Sequence, residues 1–433
     1  MNLKTRIRST FMRHATTAQY LDKQRSKARK LREKQGTPPT VYYFHQVDDP
    51  YSHLAVQKLD QLKSRYALAF QPYLVTKPEA AYQGSAAHFD QWALRDAQNI
   101  ASDYGTVFSP TLSAPAAEDV TSANRILAAH LEADSFAQVA TDLGNTLWQM
   151  RGLDTTAHLG NGADPGETAV RQGNTTRRAL GHYQGAMFYF DGEWFWGVDR
   201  IRLLEQRLIE EGYDQLSGPP CVPEPTPLAV HGKNLEGIVL EYFPSLRSPY
   251  TAIGHQRVLD LVKNSGVAVK VRPVMPMMMR GIPAPRAKQR YIITDAAREG
   301  RAHGVPFGRI VDPFGEPVRR AFALFPSADE IGFGMEFVTA YLDAAWFKGI
   351  DITREQGLKQ VVENAGLEWQ KLTDSSQDDR WQSILESNLQ VLTQENLWGV
   401  PSFRVLGGNS NEPYACWGQD RIWRIANEIV KRA

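Results

Sequence analysis

The chain has 433 residues, of which 42% are hydrophobic and 22% charged, and its formal net charge is +1. This length predicts two or three domains of ordinary globular composition. No apolar run is long enough to span a bilayer and the N-terminus lacks the apolar core of a secretory signal, so we expect a cytoplasmic protein. The two cysteines, Cys221 and Cys416, cannot form a C-x-x-C pair, which favours a reducing compartment and excludes that dithiol chemistry.

Residues 1–37 form a basic N-terminal arm. Its first 36 positions hold 11 of the 49 Lys and Arg residues and two of the 48 acidic residues, which leaves 38 basic and 46 acidic residues elsewhere. We expect a solvated helix that packs on its own protein through Phe11, Leu21 and Leu31. The dense part, Lys23–Lys34, leaves binding to anionic lipid or nucleic acid as alternatives. No base-stacking aromatic residues interleave these charges, so we predict no nucleic-acid partner.

The rest of the chain has the pattern of a tandem repeat. Asp49-Pro50-Tyr51 and Ser248-Pro249-Tyr250 follow similar apolar runs 199 positions apart, and Trp196-Gly197 recurs 221 positions later at Trp417-Gly418. The difference indicates a 22-residue segment present only in the second half. The pattern defines three segments: a first copy at 38–215, a Pro-rich linker at 216–236 and a second copy at 237–433.

Each copy repeats one order of elements. An apolar strand is followed by a helix that begins at the Pro-Tyr pair and by a second strand, at 66–74 and 267–274. A mostly helical middle, with apolar residues at helical spacing in 123–147 and 333–347, leads to two strands joined by a turn and to a final helix. This order predicts an α/β fold of two tandem thioredoxin-like domains, each with a helical insertion.

Ser248 begins the first helix of the second copy. Serine before proline favours a helix start, because the hydroxyl accepts a backbone N–H bond and proline suits the first helical position. The unpaired N–H groups and partial positive charge at such an end also stabilise a thiolate, including that of a bound thiol. Ligand contact and a purely structural cap are both compatible with this pattern.

Pro401 lies in what otherwise has the pattern of a strand, where proline is disfavoured outside edges and special turns. A cis bond before it would expose the Val400 backbone to an extended ligand, and the alternative is the start of an edge strand. The first copy has Asp49 where Ser248 stands, and we assign Met187 to the position of Pro401. Because a carboxylate beside a thiolate raises the thiol pKa, we expect the first copy to be a scaffold.

Three motifs in the second copy together carry a resemblance to a known family: Ser248-Pro249-Tyr250, Gly399-Val400-Pro401-Ser402-Phe403 and Trp417-Gly418-Gln419-Asp420-Arg421. In this order they resemble the signatures of the 2-hydroxychromene-2-carboxylate isomerase and kappa-class glutathione transferase group, within the DsbA-like thioredoxin superfamily. The resemblance covers 237–433 well and 40–210 weakly.

The resemblance implies glutathione as cosubstrate and a small molecule as substrate. It implies that Ser248 is the catalytic position facing the glutathione sulfur and that Val400 and a cis Pro401 hold the tripeptide backbone. It also implies that Asp420 contacts the γ-glutamyl end, and we include its neighbour Gln419 among the binding residues.

The segment after the second strand departs from the family. It contains Arg280-Gly281-Ile282-Pro283 where the family usually has an asparagine and a proline, which leaves the contact to the glutathione cysteine unassigned. The methionines at 275 and 277–279 either line a pliable apolar pocket or fill gaps in the core. We expect Cys416 to be a buried, inert thiol. The histidines lack the spacing of zinc ligands, so we predict no metal.

The function implied is that of a glutathione-dependent isomerase or transferase acting on an aromatic or unsaturated carbonyl compound through the second copy. The alternative is a non-catalytic thioredoxin-like protein whose paired domains present a binding surface, since a fold alone does not determine function. The absence of C-x-x-C disfavours a disulfide oxidoreductase. The sequence leaves the oligomeric state open.

Overall fold

The computed structural model describes residues 1, 3–111, 113–149, 164–376 and 379–433. They form two compact units. The N-terminal unit comprises Asp22–Pro225 and Pro285–Lys288, and the C-terminal unit comprises Met1–Leu21, Thr226–Ala284 and Gln289–Ala433. One boundary between the units therefore falls within the basic arm, after residue 21, and another within the Pro-rich segment, after residue 225. The sequence pattern treats each of these segments as continuous.

Helices make up most of the regular structure. In the first half of the chain they are α1 (Leu3–Ala15), α2 (Ala18–Lys34), α3 (Pro50–Val56), α4 (Leu59–Arg65), α5 (Ala80–Gln83), α6 (Ala86–Ile100), α7 (Ala117–Ala128), α8 (Phe136–Trp148), α9 (Pro165–Ala179) and α10 (Gly197–Glu210). In the second half they are α11 (Pro249–Ser265), α12 (Arg286–Ala302), α13 (Glu316–Glu330), α14 (Gly334–Leu342), α15 (Glu355–Asn364), α16 (Trp369–Ser375), α17 (Arg380–Gln394) and α18 (Ile422–Arg432). None of the described helices is long and apolar enough to cross a bilayer.

Among the described residues, short 3₁₀ and π-helical segments accompany the α-helices. Three 3₁₀ segments lie at Ser102–Tyr104, Met277–Arg280 and Gln419–Arg421, and a π-helical segment lies at Asp343–Lys348.

Each unit contains a four-stranded mixed sheet. In the N-terminal unit the strands are β1 (Thr40–His45), β2 (Ala69–Leu74), β3 (Met187–Phe190) and β4 (Glu193–Trp196), in the order β2-β1-β3-β4. In the C-terminal unit they are β5 (Val239–Phe243), β6 (Ala268–Val271), β7 (Ser402–Leu406) and β8 (Tyr414–Trp417), in the order β6-β5-β7-β8. In both sheets the first pair is parallel and the other two are antiparallel, so the two sheets share strand order and pairing sense.

Both second strands are shorter than the sequence pattern predicts. Tyr66 is the C-cap of α4 and makes only an isolated bridge, with Asp214, before β2 begins. In the C-terminal unit β6 ends at Val271, although the amides of Arg272 and Val274 still bond to the carbonyls of β5 and of the residue after it. Pro273 between them has no N–H to donate, which is tolerated because β6 is an edge strand.

The described part of the C-terminal unit has two apolar cores. The sheet packs with α11 and α18 around one set of buried side chains, which includes Leu240, Tyr242, Phe403, Ile425 and Ile429. The helices between β6 and β7 enclose the other, which includes Phe322, Phe337, Tyr341, Trp346 and Leu385. Since each fully buried side chain of this size contributes about 1.5–3 kcal/mol, the helical insertion is stabilised by its own interior.

The basic arm forms two helices, and its predicted apolar packing is wrong. Phe11 on α1 and Leu31 on α2 are 51% and 56% exposed, and Leu21 is half-buried. Met12, Ala15 and Tyr20 make the apolar contacts of the arm instead. Polar contacts hold the rest of it, and apolar spacing in the sequence does not reveal them.

In α2 the arginines and lysines separate onto different faces. The arginines pair with carboxylates of the N-terminal unit at 2.7, 2.9 and 3.0 Å: Arg25 with Glu193, Arg29 with Glu211 and Arg32 with Asp191. The exposed lysines lie at positions 23, 27, 30 and 34, at helical spacing on another face. Part of the charge of the arm therefore compensates the acidic remainder of the chain.

Candidate functional site

The site is built around the start of α11. Ser248 is its N-cap, with an extended backbone, and its hydroxyl oxygen accepts a hydrogen bond from the amide of Thr251 at 3.1 Å. Pro249 occupies the first helical position, where no N–H is needed. The predicted helix start is confirmed, and this 17-residue helix directs the partial positive charge of its N-terminus toward the Ser248 hydroxyl.

A loop from a distant part of the chain meets this helix end. The Ser248 hydroxyl donates to the Val400 carbonyl at 3.3 Å, although 152 positions separate the two residues. The Val400–Pro401 peptide bond is cis, and the chain then enters β7 at Ser402. Two of the motifs that carry the family resemblance, and three of the five predicted site residues, therefore lie in direct contact.

The third motif is attached to the second through the backbone. The carbonyl of Pro401 accepts from the amide of Gly418 at 2.9 Å. A side chain at Gly399 would collide with the Trp417 ring, which also lies against Trp398 at a centroid distance of 4.8 Å. Glycine is required at 399 because this backbone approaches an aromatic ring so closely.

The two predicted residues of the last turn differ in exposure. Asp420 is half-buried and accepts from the Gln419 amide. Gln419 is 1% exposed, and its amide also donates to Glu299 at 3.2 Å while its carbonyl accepts from Arg257. The Gln419 side chain thus supports the turn from inside the unit, and the Asp420 carboxylate is the more accessible of the two.

Two arginines near the site were not assigned from the sequence. Arg247 directly precedes Ser248, bonds to the buried Asp312 at 2.8 Å and lies over the Phe314 ring at 4.8 Å. Arg280 donates to the Trp398 carbonyl at 2.6 Å, and burial lowers the pKa of Arg280 to about 10, so it stays protonated at neutral pH. The position of Arg247 beside the Ser-Pro-Tyr motif was the only available sequence signal.

The methionines after β6 and the buried cysteine of β8 lie in different surroundings. Met275 and Met279 are partly buried and pack against the helical core, as the gap-filling alternative predicts. Met278 contacts the Arg247 guanidinium through its sulfur at 3.5 Å. Cys416 is 2% exposed within β8, so the prediction that it is buried is confirmed.

The arrangement brings together a helix N-terminus, the Ser248 hydroxyl and the Val400 carbonyl, and the helix begins at a serine and not at a cysteine. A helix N-terminus stabilises an anion, and a thiolate supplied by a ligand would experience the same field as a protein thiolate.

Sequence comparison identifies the domain that carries this geometry. Residues 239–430 match the family model of the DSBA-like thioredoxin domain. This part of the chain is a DsbA-like thioredoxin domain. No protein of curated function matches the sequence.

Several solved structures are similar to somewhat less than half of this chain. They include a putative protein disulfide isomerase from Nitrosomonas europaea, 18% identical with a TM-score of 0.37, over 45% of this chain and 97% of the other. They also include 2-hydroxychromene-2-carboxylate isomerase, 18% identical with a TM-score of 0.37, over 45% and 95%. The cytosolic disulfide reductase DsbM from Pseudomonas aeruginosa with GSH is 16% identical with a TM-score of 0.33, over 45% and 100%.

Outside the DsbA-like domain, the N-terminal unit has a comparable helix start. Asp49 caps α3 and accepts from the amides of Tyr51 and Ser52 at 3.3 and 3.0 Å. The Tyr51 hydroxyl donates to Asp96 at 2.8 Å, and the Tyr250 hydroxyl of the C-terminal unit donates to its own aspartate, 45 positions further on, at the same distance. The framework is shared, but Asp49 places a carboxylate where the DsbA-like domain has a hydroxyl.

The strand register corrects the assignment of Met187 to the position of Pro401. Met187 begins β3 and Ser402 begins β7, and each lies opposite the last phenylalanine of the strand beside it. The residue before each is therefore equivalent, so Ala186, with a φ of 54°, stands where Pro401 stands. Both carbonyls accept from a glycine amide, at 2.8 and 2.9 Å. The prediction was wrong by one residue because it matched Gly185 to Gly399, whereas the register makes Gly185 equivalent to Val400.

The corresponding place in the N-terminal unit is closed. Asp49 and Gln46 are 5% and 4% exposed, whereas Ser248 is only half-buried. The Gln46 side chain covers Gly185, where an added Cβ would lie 2.7 Å from its Cβ. Gly185 precedes Ala186 as Val400 precedes Pro401, so Gly185 is the counterpart of Val400. Gln46 therefore covers the backbone at the position that corresponds to Val400.

Asp49 gives a prediction for pH dependence. Burial raises the pKa of Asp49 from 3.8 to about 6. Between these values the folded protein holds a proton that the unfolded chain has released, so raising the pH through this window lowers the free energy of unfolding. Asparagine does not titrate, so Asp49→Asn lacks this loss. As the pH rises from about 4 to neutral, we expect the free energy of unfolding of Asp49→Asn to increase by up to about 3 kcal/mol relative to that of wild type.

Denaturant unfolding of both proteins across this range measures the effect. Comparison with wild type cancels the opposite contribution of the buried His45 and His53, whose pKa values burial lowers to about 3 and about 4. The exposed Asp60→Asn, in the same unit, is the control and should show no such gain. Parallel pH profiles for wild type and Asp49→Asn would contradict the prediction.

Proposed function

We propose that the C-terminal unit binds glutathione or a similar thiol and catalyses isomerisation or transfer on an aromatic or unsaturated carbonyl compound. The observation that carries this proposal is the contact of the Ser248 hydroxyl with the Val400 carbonyl, 3.3 Å away, at the start of α11. A helix end that stabilises a thiolate and a backbone edge that pairs with a peptide lie side by side. Glutathione combines these two requirements, since it is a peptide with a thiol.

In the proposed isomerisation, the thiolate sulfur bonds to the β-carbon of a conjugated carbonyl compound, and the electron pair of the double bond moves to the carbonyl oxygen as an enolate. The remaining single bond rotates. The enolate then restores the double bond and expels the thiolate, so no electron or proton is consumed. Ser248 orients the sulfur, Val400 and Pro401 hold the peptide, and Asp420 binds the γ-glutamyl ammonium.

We further propose that the two units are tandem copies of one thioredoxin-like domain, of which the N-terminal copy is a scaffold. The common strand order and the matched Tyr–Asp pairs support duplication. The buried Asp49 and the covered Gly185 support the loss of binding there. We place the protein in the cytoplasm, because neither Cys221 nor Cys416 forms a disulfide.

Calorimetric titration of the full chain with reduced glutathione tests the proposal. One site per chain is expected, and Asp49→Ala should leave both the affinity and the stoichiometry unchanged. Two equivalent sites would contradict the scaffold assignment. No binding at millimolar glutathione would overturn the proposed activity and favour a non-catalytic interaction protein.

Asp420 and Asp199 form a matched pair for a second prediction. Asp199 is 6% exposed and accepts from the Tyr104 hydroxyl at 2.8 Å, whereas Asp420 is half-buried at the site. Asp420→Asn removes a charge opposite the ligand ammonium, so we expect glutathione affinity to fall about tenfold or more. Asp199→Asn should lower stability without changing affinity. Equal losses of affinity in both variants would show that Asp420 is only structural.

A further inference from the structure

Helix α1 exposes its apolar side chains. Leu3, Ile7 and Phe11 are 71%, 60% and 51% exposed. Residues four positions apart lie one above the other on a helix, so these three form one continuous stripe. We call Leu3, Ile7 and Phe11 the outer stripe of α1.

The face of α1 that packs on the C-terminal unit is polar along its first turns, and Met12 and Ala15 add apolar contacts only near its end. Thr5 and Ser9 are 3% and 1% exposed, and they lie about 180° around the helix from the outer stripe. The Ser9 hydroxyl accepts from the amide of Asp312 at 2.9 Å, and Arg8 bonds to the Asp312 carboxylate at 2.6 Å. Arg13 donates to the Ile310 carbonyl at 2.6 Å. Because these bonds fix the orientation of the helix, the outer stripe faces away from its own unit.

Over its first turns α1 therefore reverses the orientation of an ordinary surface helix, which directs its apolar side toward the core. The stripe is also bordered by positive charge. Lys4 lies beside it on one flank and Arg6 on the other, both are exposed, and α1 contains no acidic residue. Apolar side chains between cations match the acyl boundary and the headgroups of an anionic lipid surface.

We propose that α1 is an interfacial helix that docks the protein on anionic membranes through the outer stripe, with Lys4 and Arg6 on the lipid headgroups. A second copy of the chain fits the face less well, because an α1–α1 contact would bring like charges together. Nucleic acid would use the cations but leave the apolar stripe without a partner. This inference is independent of the proposed glutathione chemistry.

Co-sedimentation of the full chain with vesicles tests the proposal. We expect binding to vesicles of equal parts phosphatidylcholine and phosphatidylglycerol, weaker binding at high salt and little binding to phosphatidylcholine alone. Ile7→Glu should reduce the vesicle affinity about tenfold or more. Ile331→Glu is the matched control, since Ile331 is also 60% exposed and lies in the same unit, and it should bind as wild type does.

Lys4→Glu combined with Arg6→Glu should remove the preference for phosphatidylglycerol. Thermal melting of each variant shows that it remains folded, as expected for exposed positions. The proposal is overturned if wild type fails to bind the anionic vesicles or if Ile7→Glu binds them as well as Ile331→Glu does. It is also overturned if sedimentation velocity shows a dimer that Ile7→Glu dissociates, or if DNA competes with vesicles and binds Ile7→Glu as tightly as wild type.

Discussion

Replacing Ser248 with aspartate is expected to abolish most thiol activation while leaving the fold intact. Aspartate is as good an N-cap as serine, and the Thr251 amide can still donate its hydrogen bond to the capping side chain. The new carboxylate would lie beside the bound sulfur and the Val400 carbonyl, as Asp49 lies at the equivalent place in the N-terminal unit. We expect the pKa of bound glutathione thiol, followed by thiolate absorbance against pH, to rise by about one unit or more.

The companion variant Ser248→Ala separates capping from thiol activation. Ser248→Ala loses the cap, so its free energy of unfolding should fall by about 1 kcal/mol, whereas that of Ser248→Asp should stay close to the wild-type value. Activity toward a conjugated carbonyl substrate should fall in both variants. If Ser248→Asp retained the wild-type thiol pKa and activity, Ser248 would be a structural cap and the proposed chemistry would lose its central residue.

Replacing Asp312 with alanine is expected to cause the largest loss of stability, about 3–5 kcal/mol for the C-terminal unit. Its carboxylate is fully buried and pairs with Arg8 at 2.6 Å and Arg247 at 2.8 Å, whose side chains are 37% and 15% exposed. Removing it leaves the largely buried Arg247 guanidinium without its carboxylate next to Ser248. Denaturant unfolding at neutral pH measures the loss.

An exposed ion pair in the same unit gives the comparison for Asp312. Asp343 pairs with Lys348 at 2.8 Å, and their side chains are 34% and 55% exposed. Solvent screens such a pair, so Asp343→Ala should cost less than about 1 kcal/mol. If Asp312→Ala were no more destabilising than Asp343→Ala, the Asp312 contacts would contribute little net free energy.

The elements of the DsbA-like domain that sequence predicts best are those with local chemistry. Ser248 before Pro249 specifies a helix start through capping alone, and Pro401 in an apolar run specifies a special turn. The contact between Ser248 and Val400 required the family resemblance, because nothing local relates residues 152 positions apart.

The features that sequence missed depend on long-range pairing. The Asp312 cluster joins Arg8 and Arg247 across 304 and 65 positions, and no periodic pattern marks it. The inward orientation of Gln419 follows from Glu299 and Arg257, which lie on other helices. Phe11 and Leu31 were assigned to packing because apolar residues usually pack, whereas arginine pairs together with Met12 and Ala15 hold the arm.

The docking of α1 on Ile310 and Asp312 has a consequence for vectorial synthesis on the ribosome. The helix ends at Ala15, yet its receiving surface emerges almost 300 residues later. The N-terminal unit has most of its chain available by Pro225 and can fold first, since domains generally form in the order of translation. Helix α1 is therefore made long before Ile310 and Asp312, and it reaches its native contacts only after they have been made.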